Sequence, residues 1–377
     1  MLALITSPAA LVGNGNLRPR IVQALINTSA RGNSVTIVSN HAKPHWFDEA
    51  FGQSAVSYRR TDARQNGAII KQIATELGIQ THDVLVLAVK DIDMQMAKSG
   101  RAVLIAAGWT SDRIVKALGI QVDSAQELEE LIAMTNGWSG HWWFEGNEPT
   151  YSARALMDLS EYGKDADQQI FAGKLKSTVK RGGSRLTALL IVTARSLLID
   201  GARDAEMLFW AVYPSSNSDN DDSEVLSEFT HRLRTTASQV QFARKGQPLF
   251  IRHTPSEKRS AKRGGDRTDP TGQITTLHLN PNYKRQIKGR NVIIVDDCTT
   301  HGVSFGVATA FLLKAGAASV NGVALGKFGN TLNYFEITIS SDPFKPVSKE
   351  QFTVTAMRSF NGTKDSTAQK ILVSLIA

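Results

Sequence analysis

Two adjacent carboxylates, then hydroxyls, an imidazole and a glycine, stand in the stretch Asn291-Val-Ile-Ile-Val-Asp296-Asp297-Cys298-Thr299-Thr300-His301-Gly302-Val303-Ser304. Ionised Asp296 and Asp297 accept hydrogen bonds only, which suits the vicinal hydroxyls of a sugar. Thr299, Thr300 and Ser304 add hydroxyl donors, His301 can donate through its ring, and Gly302 lets the main chain approach a ligand closely. Backbone N–H groups entering a helix at residues 300–304 are unpaired donors at the positive end of its dipole, an anion site suited to phosphate. Phosphate donors beside diol acceptors describe a site for a ribose 5-phosphate. An apolar strand ending in acids is also Walker-B-like, but the chain holds no G-x-x-x-x-G-K-[ST]. Helix capping would account for one Asp, not for two plus the hydroxyl loop. Cys298 reads as a small apolar filler.

These residues need elements to position them. Val292 to Val295 is a branched apolar run without alternation, as in a strand buried on both faces. An amphipathic helix is expected next, with Val307 and Phe311 four apart and Ala308 and Leu312 likewise, ending at Lys314-Ala-Gly316. Val320 to Leu325 is the following strand. The unit is β-loop-α-β, and in open α/β sheets ligands bind at the carboxyl ends of strands. Upstream, Glu206 to Tyr213 reads as a strand ending in Pro214-Ser215-Ser216. Alone that is a turn, although its N–H groups and two hydroxyls could hold phosphate oxygens and Mg²⁺-bound water. Leu249 to Ile251 is a strand before a basic stretch with Arg252, Lys258, Arg259, Lys262, Arg263 and Arg267 around Gly264-Gly265. A mobile lid, a nucleic-acid-binding arm and a solvated loop are its open readings. Helices are expected over Tyr151–Leu159, Asp165–Val179, Arg185–Ile199 and Glu224–Arg234, strands over Tyr334–Ile339 and Gln351–Ala356, and a terminal helix over Lys364–Leu375.

The 291–304 stretch resembles the PRPP-binding motif of type I phosphoribosyltransferases. The longer run through Val303-Ser304-Phe305, Leu313-Lys-Ala-Gly-Ala317 and Val323-Ala-Leu-Gly-Lys-Phe328 is most similar to the ComF-type branch. His301 stands where that family usually has Thr, and so does Ser304, which keeps the hydroxyl. The resemblance implies a protein that binds PRPP with Mg²⁺ and transfers phosphoribose to a nitrogen base, releasing pyrophosphate. It implies ribose contacts from Asp296 and Asp297 and 5-phosphate contacts from Thr299, Thr300, His301, Gly302, Val303 and Ser304. It makes Tyr213, Pro214, Ser215 and Ser216 the pyrophosphate loop, and the 252–267 stretch a flexible basic loop that closes over the transition state. Mg²⁺ would be held through pyrophosphate and water, without a committed protein ligand. The alternative is a non-catalytic PRPP or nucleotide sensor, or a nucleic-acid-linked adaptor in DNA uptake, stress or phage defence.

The first half alternates strands (Leu2–Ile5, Val35–Val38, Val84–Val89, Val103–Ala106) with helices (Leu17–Ile26, Ala68–Leu77, the segment after Asp91), the pattern of a parallel α/β sheet. With Ser39, Asp91/Asp93 and Val103-Leu-Ile-Ala-Ala-Gly-Trp109, it resembles the haloacid dehalogenase-like (HAD) fold. Where that family places a nucleophilic Asp and a second Asp two residues on, this chain has Thr6 and Pro8. A Thr hydroxyl is a poor nucleophile without a partnered base, so the HAD-like half is expected to be catalytically inactive. Asp91 and Asp93 could bind a cation, but solvated acids at a helix start are the expected reading. The predicted organisation is α/β with two mostly parallel sheets flanked by helices: a HAD-like Rossmannoid domain over 1–135, a Trp-rich connector over 136–150, and a phosphoribosyltransferase-like domain over 151–377. Trp138, Trp142 and Trp143 are expected to pack and not to stack on bases.

The chain has 377 residues, 42% of them hydrophobic, a formal charge of +8 and one Cys. That length suggests two domains, the charge favours anionic ligands, and a single Cys leaves no internal disulfide and fits a reducing cytoplasm. No apolar run reaches a membrane span, and the first residues lack a basic leader region. A homo-oligomer and a partner protein docked on the HAD-like domain are both compatible with this reading.

Overall fold

The computed structural model describes residues 1–181, 185–201, 208–237, 245–256, 266–329 and 331–376. Lys258, Arg259, Lys262 and Arg263 therefore lie outside the described residues. Two compact units make up the chain. The first is Met1–Gly140 with Thr187–Arg203 and Arg232–Gln239, and the second is His141–Leu186, Asp204–His231 and Val240–Ala377.

In the first unit β1 (Ala3–Thr6) leads into a single helical turn, α1 (Pro8–Leu11), and a tight hairpin, β2 (Val12–Gly13) and β3 (Asn16–Leu17). There follow α2 (Pro19–Ala30), β4 (Ser34–Ser39), α3 (Trp46–Phe51), β5 (Ser57–Arg60), α4 (Ala68–Leu77), β6 (Val84–Ala88), α5 (Asp91–Gly100), β7 (Val103–Ala107), α6 (Arg113–Ala117), β8 (Ile120–Val122) and α7 (Ala125–Gly137). Proline stands at the first position of α1 and α2, where its missing N–H costs nothing. In α4, Ile69, Ile70 and Ile73 bury one face, and Gly78 at φ 65° ends the helix. The six strands β5-β4-β1-β6-β7-β8 lie in that order and are all parallel. β1, β6 and β7 are buried on both faces, which is why their sequences are unbroken apolar runs. The winding reverses between β1 and β6, the switch point at which such sheets offer a crevice. β5 and β8 were not expected from the sequence: β5 is a polar edge strand and β8 has three residues.

The second unit opens with β9 (Phe144–Asn147) and β10 (Ser152–Asp158), then α8 (Ala166–Arg181), β11 (Leu208–Val212) and the start of α10 (Val225–Ala237), whereas α9 (Arg185–Ile199) from Thr187 on and α10 from Arg232 on count with the first unit. The second unit continues with β12 (Phe250–Arg252), α11 (Thr271–Ile274), β13 (Leu277–Leu279), β14 (Asn291–Thr299), α12 (Val303–Lys314), β15 (Ser319–Lys327), β16 (Asn333–Ile339), β17 (Phe352–Ser359), β18 (Gly362–Lys364) and α13 (Ser366–Ile376). The sheet order is β11-β14-β15-β10-β9-β18, with the first four strands parallel and the last two joined antiparallel. β16 and β17 form a separate ribbon, as do β12 and β13. The α/β class with mostly parallel sheets is thus realised in both units.

Three expectations change here. Within residues 151–159, Ser152–Asp158 form the interior strand β10, not a helix. Ala, Leu and Met are good helix formers, but pairing with β15 on one side and β9 on the other overrides that preference. The 136–150 stretch is no mere connector, since it supplies the end of α7 and all of β9. α12 is not amphipathic; residues 305–312 are all buried, and a helix that is apolar all round belongs inside. The tryptophans are buried as expected: Trp138 donates its indole N–H to Ser196 Oγ within the first unit at 2.9 Å, and Trp143 joins the core of the second. No helix among the described residues is long and apolar enough to cross a membrane.

Candidate functional site

The second unit holds a cleft of about 870 Å³ lined by residues 213–217 after β11, Ser223–Leu226 at the start of α10, Arg252 at the end of β12, Arg267, Gln273, and all of residues 296–304. Sequence positions predicted from two separate stretches thus face one space. The parallel pairing of β11 with β14 sets this up, because Val212, the last residue of β11, is in register with Val295, so the chain leaves β11 next to the acids that follow in β14.

The acids do not sit in a turn, as expected, but within β14. Pairing with β15 continues past them through Asp296↔Ala324, Cys298↔Gly326 and Thr299↔Lys327. Asp296 is 8% exposed and accepts a hydrogen bond from Ser304 Oγ at 2.7 Å. Burial and, secondly, the neighbouring Asp297 charge hold its carboxyl well above the usual carboxylate range. Asp297 accepts from the Cys298 N–H at 2.6 Å. Thr299 is buried, and its hydroxyl accepts from the Gly302 N–H at 3.2 Å instead of facing a ligand. Gly302 has φ +80°, and a Cβ there would come within 2.7 Å of the Asn333 carbonyl oxygen, so both backbone and space require glycine. The N–H groups of Thr300, Val303 and Ser304 have no hydrogen-bond partner among the described residues.

The loop is backed by the segment after β15. Asn333 N–H donates to the His301 carbonyl at 3.1 Å, and Phe328 N–H donates to that of Thr299 at 2.9 Å. Lys327, fully buried, donates to the carbonyls of Phe328, Gly329 and Thr331 at 3.2, 2.6 and 3.0 Å. Burial, and then Lys364, push its ammonium down to about 8. In the sequence Lys327 stands out only as a lone Lys closing an apolar strand, and that is the signal that marks it.

Across the cleft, Pro214, Ser215 and Ser216 turn their carbonyls into the protein. Arg252 Nη2 donates to Pro214 O at 3.2 Å and its Nε to Ser215 O, while Ser256 N–H donates to Ser216 O at 2.9 Å. The next three N–H groups, of Ser215, Ser216 and Asn217, have no partner among the described residues. Successive unpaired N–H groups of this kind make anion-binding concavities. Ser215 Oγ is held by Glu224 at 2.9 Å, and Tyr213 Oη donates to Gln273 Oε1 at 2.8 Å. Arg252 corrects the sequence reading. It is not part of a flexible loop but a 4%-exposed residue at a strand end. Arg267 is exposed and lines the cleft, in keeping with its place in the basic stretch.

The equivalent edge of the first unit is closed. Thr6 Oγ1 donates to Leu87 O at 2.9 Å, and Pro8 opens α1. Asp93 is fully buried, not solvated: its carboxylate meets Arg64 at 3.0 Å and accepts from Ser7 Oγ, Val89 N–H and Lys90 N–H at 3.0, 3.2 and 3.1 Å. Asp91 is half-exposed and accepts from Gln95. Among the described residues no group of three or more His, Cys, Asp or Glu is placed to hold a metal ion.

Comparison with known proteins adds little to this geometry. No protein-family model matches the chain, and no curated protein does. Among solved structures, the chain is similar to a protein assigned as a phosphoglycolate phosphatase from Lactobacillus delbrueckii subsp. bulgaricus, at 22% identity over 31% of this chain and 54% of that one, with a TM-score of 0.27. It is also similar to a protein assigned as a HAD family hydrolase from Streptomyces avermitilis, at 15% identity over 31% of this chain and 71% of that one, with a TM-score of 0.25. The chain thus spans about half the length of the first of these. At these scores the α/β assignment rests on the sheets themselves.

Proposed function

We propose that the second unit binds 5-phosphoribosyl diphosphate (PRPP) with Mg²⁺ and transfers the phosphoribosyl group to a nitrogen base with release of pyrophosphate. One observation carries this reading: two separate runs of unpaired backbone N–H groups, at 215–217 and at 300, 303 and 304, line one cleft with the paired acids Asp296 and Asp297. Two anion sites with a diol-accepting pair match a sugar that carries a phosphate at one end and a diphosphate at the other. The 300–304 loop would hold the 5-phosphate, Asp296 and Asp297 the ribose hydroxyls, and the 215–217 turn the diphosphate. Mg²⁺ fits a cleft that offers one or two carboxylates beside ligand phosphates, and when bound it would neutralise diphosphate charge. Departure of pyrophosphate leaves an oxocarbenium-like sugar, so the residues act by positioning and by stabilising charge on the leaving group.

Binding without turnover is the second reading, and the carboxylates of the cleft favour it. Glu224 is tied to Ser215, Asp296 to Ser304 and Asp297 to a backbone N–H, which leaves Asp219, also in the cleft lining, as the carboxylate without a hydrogen bond among the described residues. The first unit is, on the same reading, a HAD-like domain without phosphotransfer, because Thr6 and Pro8 offer no carboxylate and Asp93 is occupied by Arg64 and Ser7. Incubation with labelled PRPP, Mg²⁺ and a panel of nitrogen bases distinguishes the readings. Pyrophosphate release is expected for the enzyme, and saturable calorimetric binding without release for the sensor. Absence of both overturns the PRPP assignment.

A further inference from the structure

Arg252 is a cation taken almost wholly out of water, yet among the described residues it makes no ion pair with a carboxylate. It bonds instead to neutral oxygens: Pro214 O, Ser215 O, Thr276 Oγ1 at 2.8 Å, Gln273 Oε1 at 3.0 Å and the Tyr213 hydroxyl. Its own backbone is fixed by Asn220, whose side chain accepts from Arg252 N–H at 2.8 Å and donates to Arg252 O at 3.1 Å. A buried charge held only by dipoles is costly unless something else completes it. Two features of the geometry show what does. The planar fork pulls two consecutive carbonyls of the turn to one side, and the three N–H groups that follow are left without partners in the cleft. Because each peptide carries its N–H opposite its C=O, holding the carbonyls in also holds the amides out.

We propose that Arg252 is a positioning residue: from behind the 214–217 turn it locks the N–H groups of Ser215 and Ser216, beside that of Asn217 held through Ser256, into a subsite for a diphosphate and leaves its own charge to be completed by that anion. This rests on the PRPP reading for the choice of ligand, but not for the tether itself. A lysine cannot replace the fork, since a single ammonium has no planar set of donors to bridge both carbonyls, Thr276 and Gln273 together.

The test uses the full chain with inorganic pyrophosphate and Mg²⁺, and separately ribose 5-phosphate, as calorimetric probes. Arg252→Met and Arg252→Lys are both expected to weaken pyrophosphate binding by about 30-fold or more, with ribose 5-phosphate affinity within about twofold of the parent. Recovery of pyrophosphate affinity by the Lys variant overturns the tether, because charge alone would then suffice. Should Arg252→Met fail to fold, Thr276→Val removes one anchor while keeping the charge. A several-fold loss confined to pyrophosphate is expected, and unchanged affinity overturns the proposal. Amide shifts of residues 215–217 in the ligand-free variants provide a readout that needs no ligand. They are expected to move, and unmoved shifts sink the tether whatever binds. If the parent ignores pyrophosphate while those shifts do move, the diphosphate assignment fails and the PRPP reading fails with it.

Discussion

The two sheets end in opposite ways. Each unit sends parallel strands to a polar edge, and each places a carboxylate near a hydroxyl there. In the first unit the groups mostly satisfy one another: Ser7, Asp93, Arg64 and two backbone N–H groups form a buried set in which Arg64 Nε lacks a hydrogen-bond partner among the described residues. In the second unit the carboxylates crowd each other, and six backbone N–H groups across the cleft stay unpaired among the described residues. A polar group taken from water without a partner costs stability, so N–H groups left unpaired by the protein must stay open to water or to a ligand. The lesson is that a strand-turn-helix unit with acids is not in itself a site; what decides is whether the chain has already supplied the partners.

That contrast can be broken by removing a carboxylate from each edge. Asp93→Ala strips Arg64 of its buried counter-charge and frees the α5 N-terminus of its cap. It is expected to destabilise the protein by about 3–5 kcal/mol, read as a lowered urea midpoint. A near-neutral result would mean the first edge is open to water after all. Asp296→Asn is expected to do the reverse. The amide oxygen still accepts from Ser304, the buried charge disappears, and stability at pH 7 rises by about 1 kcal/mol, while affinity for the sugar phosphate falls at least about tenfold.

The sign of the pH effect follows from the direction of the Asp296 shift. A carboxyl whose folded pKa is raised contributes stability that is present below its unfolded value, about 3.9, and lost as pH rises through its folded value. The Asn variant should therefore match the parent in acid and gain on it as pH climbs to neutral; a constant gap at all pH values would contradict the assignment. The smallest effect is expected at Asp91, two residues from Asp93 but half-exposed. Asp91→Asn should change stability by less than about 0.5 kcal/mol, and Mg²⁺ should not raise the melting temperature of the Asp296→Asn/Asp297→Asn double variant. A large loss at Asp91 would restore the cation site that the buried Arg64–Asp93 pair argues against.

How much of this was legible beforehand depended on the distance over which each feature is decided. The β14 run, the α4 helix with its Gly78 stop and the α9 helix were read correctly, because strand burial, helix period and a left-handed cap are local signals. Residues 151–159 were misread, since nothing within nine residues says that β15, over 160 residues later, will pair with them. Asp93 looked like a solvated cap because its partners, Ser7 and Arg64, lie 86 and 29 residues away. Arg252 looked like the first charge of a mobile run because its partners in the turn are nearly 40 residues upstream.

The sequence by itself determined the alternation of strands and helices, the twin acids with their hydroxyl loop, and the lack of a carboxylate at positions 6 and 8, where Thr and Pro stand. Residue type and short-range period carry all of these. Tertiary structure alone decided which polar groups find partners: it closed the first edge around Asp93 and left the second open around Arg252. Hydrogen bonds and ion pairs depend on positions a few ångströms apart in space, and in a doubly wound sheet those positions come from strands far apart along the chain.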